Sequence, residues 1–86
     1  MSATLHLIRR AGDRLAAEAA RAEAAHAEGT IVVLLEEAVA EAPPAGLRAF
    51  ALEADAHARD VRPQAEPLSD AALVELIVSA AKVVCW

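Results

Sequence analysis

The amino-acid sequence predicts an α/β domain with a mostly parallel sheet and helices on both faces. Three observations carry that prediction. Short apolar runs alternate with helical segments along the whole chain, which is the order of βαβ units. One run, Thr30 to Leu35 (TIVVLL), is apolar without interruption after its first residue, as in a strand covered on both sides. The intervening segments are rich in alanine and charge, which favours helix. Crossovers between parallel strands are expected to be right-handed.

Taken in order, Ala3 to Ile8 (ATLHLI) reads as a first strand. Asp13 to Glu28 reads as a helix on which Leu15, Ala19 and Ala22 share one face, with His26 continuing it, Arg14 and Glu18 spaced for an i,i+4 pair on another, and Gly29 as its C-cap. Thr30 to Leu35 is the strongest strand, because β-branched Thr30, Ile31, Val32 and Val33 pack well on a pleated surface. A short helix from about Glu37 has to stop before Pro43-Pro44. Leu47 to Leu52 (LRAFAL) is a third strand, and Ala54 to Arg59 forms a helical turn or two. Pro63 to Pro67 (PQAEP) reads as a loop. Ser69 is then an N-cap with Asp70 well placed against the helix dipole. Leu73, Leu76, Ile77 and Ala80 form the apolar stripe of the helix that follows, and Lys82 to Trp86 (KVVCW) is the last strand.

The 86 residues are enough for one domain, spanning 1–86. A domain of this length buries only about 60–65% of its unfolded surface. Hydrophobic residues make up 57% of the chain, but alanine supplies many of them and contributes little area. So small a core leads us to expect a homo- or hetero-oligomer. The net charge of −5 gives no basic surplus for a phosphate backbone, and Phe50 and Trp86 are the only aromatics, too few for a base-stacking platform. Direct nucleic-acid binding is therefore not expected. No apolar run approaches the ~20 residues of a membrane span, and Arg9 and Arg10 fall where a signal peptide would be apolar. With Cys85 as the single cysteine, a reducing cytoplasm is the expected location. One cysteine and three scattered histidines give no metal-ligand spacing, so no metal or other cofactor is expected.

The residues with chemistry to offer are few. Cys85 is the only thiol and the only possible covalent sulfur carrier, which would require an exposed, stabilised thiolate. Lys82 lies three residues away, about 10 Å along a strand. The reading favoured by the sequence is instead a buried, apolar Cys85 between valines and tryptophan. His6 sits in the first strand near the sheet edge where α/β folds place ligands. His26 and His57 read as helix-surface residues. Asp55 and Arg59 stand at i,i+4, as a surface ion pair would. Glu36 and Glu37 follow the second strand, in capping or solvated roles. Trp86 either covers the sheet end or anchors an interface. No phosphate-binding glycine loop and no Ser–His–Asp set is visible.

The segment FALEADAHAR, Phe50 to Arg59, resembles the pattern ALxxDxxARG of the TusB/DsrH family of sulfur-relay subunits. Ala51, Leu52, Asp55, Ala58 and Arg59 match, and Asp60 replaces the glycine. The opening LHLIRR is similar to the first strand of that family, with Leu-His followed by a polar loop. Glu28-Gly29 and the run VVLLEEAV resemble its second strand and EDG or QDG turn, with Glu37 at the acidic position and Ala38 in place of glycine. The ending LVELIVSAAKVVCW is similar to the family's closing helix and strand, which finish on Trp. The two replaced glycines point to a divergent member or to altered turns. The resemblance implies a flavodoxin-like three-layer sandwich. It implies DsrE/TusD-like and DsrF/TusC-like partners, and a relay of persulfide sulfur toward tRNA wobble-uridine thiolation or sulfur oxidation. It marks His6, Glu37, Asp55, Arg59 and Trp86 as motif or partner-binding positions. The principal sulfur-carrying cysteine of such relays lies in the DsrE-like subunit, and the first-helix cysteine of some DsrH-like members falls near Ala22 here. The expected role is thus an accessory subunit, not catalytic alone. A stand-alone persulfide carrier using Cys85, or a small α/β ligand-binding module, is the alternative.

Overall fold

The computed structural model describes residues 3–25 and 29–86. Its elements, in chain order, are β1 (Thr4–Ile8), α1 (Arg14–Ala24), β2 (Thr30–Leu34), a 3-10 helix (Glu36–Ala40), β3 (Arg48–Leu52), α2 (Glu53–Ala58), β4 (Glu66–Leu68), α3 (Asp70–Ser79) and β5 (Lys82–Cys85). The five strands form one sheet in the order β4-β3-β2-β1-β5. Every pairing is parallel, with Thr4 opposite Thr30, Ile31 opposite Arg48, Phe50 opposite Glu66 and Thr4 opposite Lys82. The strand expected to be interior is the central one, and its Val32 and Val33 are fully buried.

The path of the chain explains the three layers. From β1 to β4 each step moves across the sheet in one direction, and α1, the 3-10 helix and α2 pack on one face. Helix α3 then carries the chain back over the opposite face and sets β5 beside β1. A uniform crossover hand requires that change of face when the direction reverses. The result is the predicted sandwich, with helices on both sides of a fully parallel sheet.

The two faces are built differently. The α1 face joins Ala16 and Ala20 of α1, Ala38 and Val39 of the 3-10 helix and Ala56 of α2 to Ile8, Val32, Leu34 and Ala51 of the sheet. Alanine on both sides lets the helix backbone lie close to the strands. The α3 face carries the larger Leu5, Leu7, Val33, Phe50 and Leu68, against which Ala72, Leu73, Leu76 and Ala80 pack only partly buried. No residue of α3 is fully buried. Its Val74, Ile77 and Val78 are 56, 40 and 79% exposed. Ile77, expected on the inner stripe, thus belongs to the outer side.

Several sequence expectations need correction. The inner face of α1 is Ala16 and Ala20, not Leu15, Ala19 and Ala22, and Leu15 is 67% exposed. Helix α1 ends at Ala24, where the amide of Ala25 donates to the carbonyls of Arg21 and Glu23. Gly29 does not cap it. At φ +82°, Gly29 leads into β2, and its carbonyl accepts from the amide of Thr4 at 3.2 Å. The expected last turn, His26 to Glu28, lies outside the described residues. The PQAEP loop contains the start of β4, a three-residue edge strand that tolerates Pro67 because an edge leaves ladder donors unused. The caps behave as expected: Asp13 Oδ1 accepts from the amide of Ala16 at 3.0 Å, and Ser69 Oγ from that of Ala72 at 3.1 Å.

The two readings of α1 separate by stability. Ala20→Leu should cost about 1–3 kcal/mol by forcing α1 off the sheet. Leu15→Ala should stay within about 0.5 kcal/mol. Urea unfolding of the two variants measures both, and the reverse order would place Leu15 in the core.

Candidate functional site

Strand parity sets out the first cluster. Leu5 and Leu7 face α3, so His6 faces α1, where its side chain is only 3% exposed. In α1, Glu23 continues the Ala16 and Ala20 face, at spacings of seven and three residues. The close seating of α1 brings Glu23 Oε1 to 2.6 Å from His6 Nε2. On the other side of the ring the indole Nε1 of Trp86 lies 3.2 Å from Nδ1, with the two rings 16° from parallel. Indole N–H can only donate, so Nδ1 accepts and the imidazole proton sits on Nε2, directed at Glu23. The His6 ring is thereby held in one orientation between a donor and a carboxylate.

Lys82 and Trp86 reach this cluster from β5 by the same parity. Thr4 lies opposite Lys82 and His6 opposite Val84, which puts Lys82, Val84 and Trp86 on the α1 side. Lys82 Nζ stands 3.7 Å from Glu23 Oε2. The His6 hydrogen bond chiefly, with the Lys82 charge and the Thr4 hydroxyl, holds the Glu23 carboxyl below its ordinary value against the opposing effect of desolvation. Trp86 is fixed at two further points: its amide donates to the carbonyl of Leu7 at 2.9 Å, and its carbonyl accepts from Arg9 Nε at 2.9 Å. The structure therefore joins His6 and Trp86, two of the residues singled out in the sequence. It adds Glu23 and Lys82, which sequence reasoning missed. The available signal was an acid interrupting an alanine face.

The other candidates lie apart. Cys85 is exposed, which corrects the expectation of a buried thiol. It sits opposite Leu7, on the α3 side of the edge strand β5, away from Lys82 and Trp86. Asp55 and Arg59 form no ion pair. Asp55 Oδ2 instead accepts from the amide of Glu36 at 2.8 Å. Glu36 turns the chain out of β2 at φ +49°, in the left-handed region, and Asp55 holds that turn. Asp60 is likewise left-handed at φ +54°. Ala38 is buried within the 3-10 helix. Glu37 is exposed in the first turn of that helix, and His57 is exposed on α2.

Two concavities lie on the surface of the described residues. One of about 310 Å³ opens at the carboxyl ends of β1 and β2, between α1 and residues 41–44, and Arg10, Arg14 and Arg21 line it. A second of about 410 Å³ lies between the N-termini of α2 and α3, with His57, Ser69 and Asp70 at its edge. Among the described residues no helix is long and apolar enough to cross a membrane. Comparison with known protein families, with curated proteins and with solved structures finds no match to this chain.

Glu23 couples this cluster to acid. Because its folded pKa is depressed, its contribution is full above the ordinary unfolded value and disappears as pH falls through the folded one. Wild type should therefore lose stability more steeply below that pH than Glu23→Gln, as acid titration followed by circular dichroism would record. At pH 7, Glu23→Gln should cost about 1 kcal/mol, since the amide oxygen still accepts from His6.

The turn makes a separate prediction. Asp55→Ala should cost about 0.5–1.5 kcal/mol by removing the bond that holds the Glu36 turn, whereas Arg59→Ala should fall within about 0.5 kcal/mol. Equal losses in chemical denaturation would restore the ion pair.

Proposed function

We propose that this chain is an accessory subunit of a cytoplasmic sulfur-relay assembly, similar to TusB/DsrH proteins, which positions a partner's persulfide and is not catalytic alone. The observation that carries the subunit reading is the outer side of α3. Val74, Ile77 and Val78 are exposed there, and Val83 of β5, 38% exposed, lies on the same side of the sheet. Four large apolar side chains directed at water on one side of so small a domain are the mark of a surface that another protein covers. The relay itself is inferred from the ALxxDxxARG-like segment, the LHLIRR opening and the Trp ending. DsrE/TusD-like and DsrF/TusC-like chains are the proposed partners, and tRNA thiolation or sulfur oxidation the proposed destinations of the sulfur.

One observation favours a second reading, in which Cys85 itself carries the persulfide: the thiol is exposed and so open to a donor. Against it, Lys82 is engaged with Glu23 on the opposite face of β5, so this cation does not support a thiolate at Cys85.

Co-expression with DsrE/TusD-like and DsrF/TusC-like chains, followed by native mass spectrometry, tests the first reading. The expected result is a stable heteromer that Val78→Asp disrupts by at least about tenfold in affinity. Failure of the chains to associate would remove the relay proposal. Loading the assembly with labelled sulfur and measuring intact masses separates the two readings. The accessory role predicts no persulfide increment on this chain, and relay flux in Cys85→Ser within a few-fold of wild type. An increment on Cys85 that chases to an acceptor at the turnover rate would establish the carrier.

A further inference from the structure

We infer that the cleft at the carboxyl ends of β1 and β2 binds a small organic anion, a carboxylate or phosphate carried on an aliphatic body. This inference is independent of the sulfur-relay reading.

Position is the first ground. Open parallel α/β sheets place ligands outside the carboxyl ends of their strands. The cleft lies at that edge, beside the start of α1. Its volume of about 310 Å³ is at the lower bound for small-molecule sites.

Charge is the second ground, and it runs against the chain as a whole. The net charge is −5, yet three of the eight basic residues, Arg10, Arg14 and Arg21, line this one cleft. Arg14 and Arg21 stand seven residues apart on α1 with Ala17 between them, so they share a stripe along the wall. None of the three arginines forms an ion pair among the described residues. Two carboxylates also border the cleft, but each is engaged with backbone. Asp13 accepts from the amide of Ala16, and Glu41 accepts from the amide of Gly12. The second of these bonds fastens the loop between β1 and α1 to the segment that closes the 3-10 helix. The guanidinium fork matches the paired oxygens of carboxylate and phosphate.

The rest of the lining sets the body of the ligand. Ile8, Leu34 and Ala38 lie at its base and Pro43 and Pro44 at its side. No aromatic side chain lines it, so it offers no platform for a nucleobase. An aliphatic chain headed by an acid group matches an apolar base rimmed by arginine.

Hexyl phosphate, hexanoate, inorganic phosphate and hexanol can be titrated into the ¹⁵N-labelled full chain. Hexyl phosphate and hexanoate should move the amides of Gly12, Ala17 and Ala38. Inorganic phosphate and hexanol, each with half of the recognised chemistry, should bind at least about tenfold more weakly. Arg21→Ala and Arg62→Ala change net charge equally, and both remove exposed side chains. Only Arg21→Ala should weaken binding, by about tenfold. Ala17→Glu, a helix-compatible change that sets an acid in the arginine stripe, should abolish it while far-UV circular dichroism stays unchanged. Absence of shifts at millimolar hexyl phosphate and hexanoate would overturn the inference. So would equal weakening by the two arginine variants, or binding of inorganic phosphate as tight as that of its hexyl ester.

Discussion

How closely α1 can lie on β1 and β2 decides most of what this molecule is. Ala16 and Ala20 meet the sheet with no exposed surface, and the strands answer with Ile8, Val32 and Leu34. A bulkier residue at either alanine would lift the helix. With α1 seated at that distance and rotation, Glu23 falls against His6, and Arg14, Ala17 and Arg21 turn toward the carboxyl edge. Leu15 is left facing water. One contact surface thus fixes a buried polar cluster and the wall of a cleft together, because a helix cannot rotate one side chain without rotating all of them.

The opposite face follows another logic. Leu5, Leu7, Val33, Phe50 and Leu68 form a broad apolar layer, and α3 alone returns across it. That single helix is apolar on both its sides, with Leu73 and Leu76 toward the sheet and Val74 and Val78 away from it. In a water-soluble helix that stands alone, the outer positions are ordinarily polar. The proposal of an assembly subunit accordingly rests on α3, while the Arg-lined cleft and the His6 cluster lie on the α1 side.

Much of the fold was legible in the sequence because its signals were chemical and local. Continuous β-branched residues marked β2, Ser69 marked the start of α3, and Pro43-Pro44 bounded the 3-10 helix. The phase of α1 was not legible. In a segment where alanine recurs on every side, Leu15 looked like the core residue, yet the tight sheet contact selects the smallest side chains instead. Strand β4 was hidden by its length of three residues and its proline. The site was legible only in part. His6 and Trp86 were singled out separately, but they are eighty residues apart, and no spacing rule reports their hydrogen bond. Glu23 and Asp55 have polar partners seventeen and nineteen residues away, so local i,i+4 reasoning overlooked the first and misassigned the second. The exposure of Cys85 depends on β5 being an outer strand, which the order of elements does not disclose.

The hydrogen bond between Trp86 and His6 has an optical consequence. The chain contains no tyrosine, one phenylalanine and one tryptophan. Near-ultraviolet excitation therefore addresses a single indole, whose N–H is held by the imidazole of β1 and whose backbone is pinned by Leu7 and Arg9. Its emission is an intrinsic readout of whether β5 remains docked beside β1, obtained without a dye or a substitution.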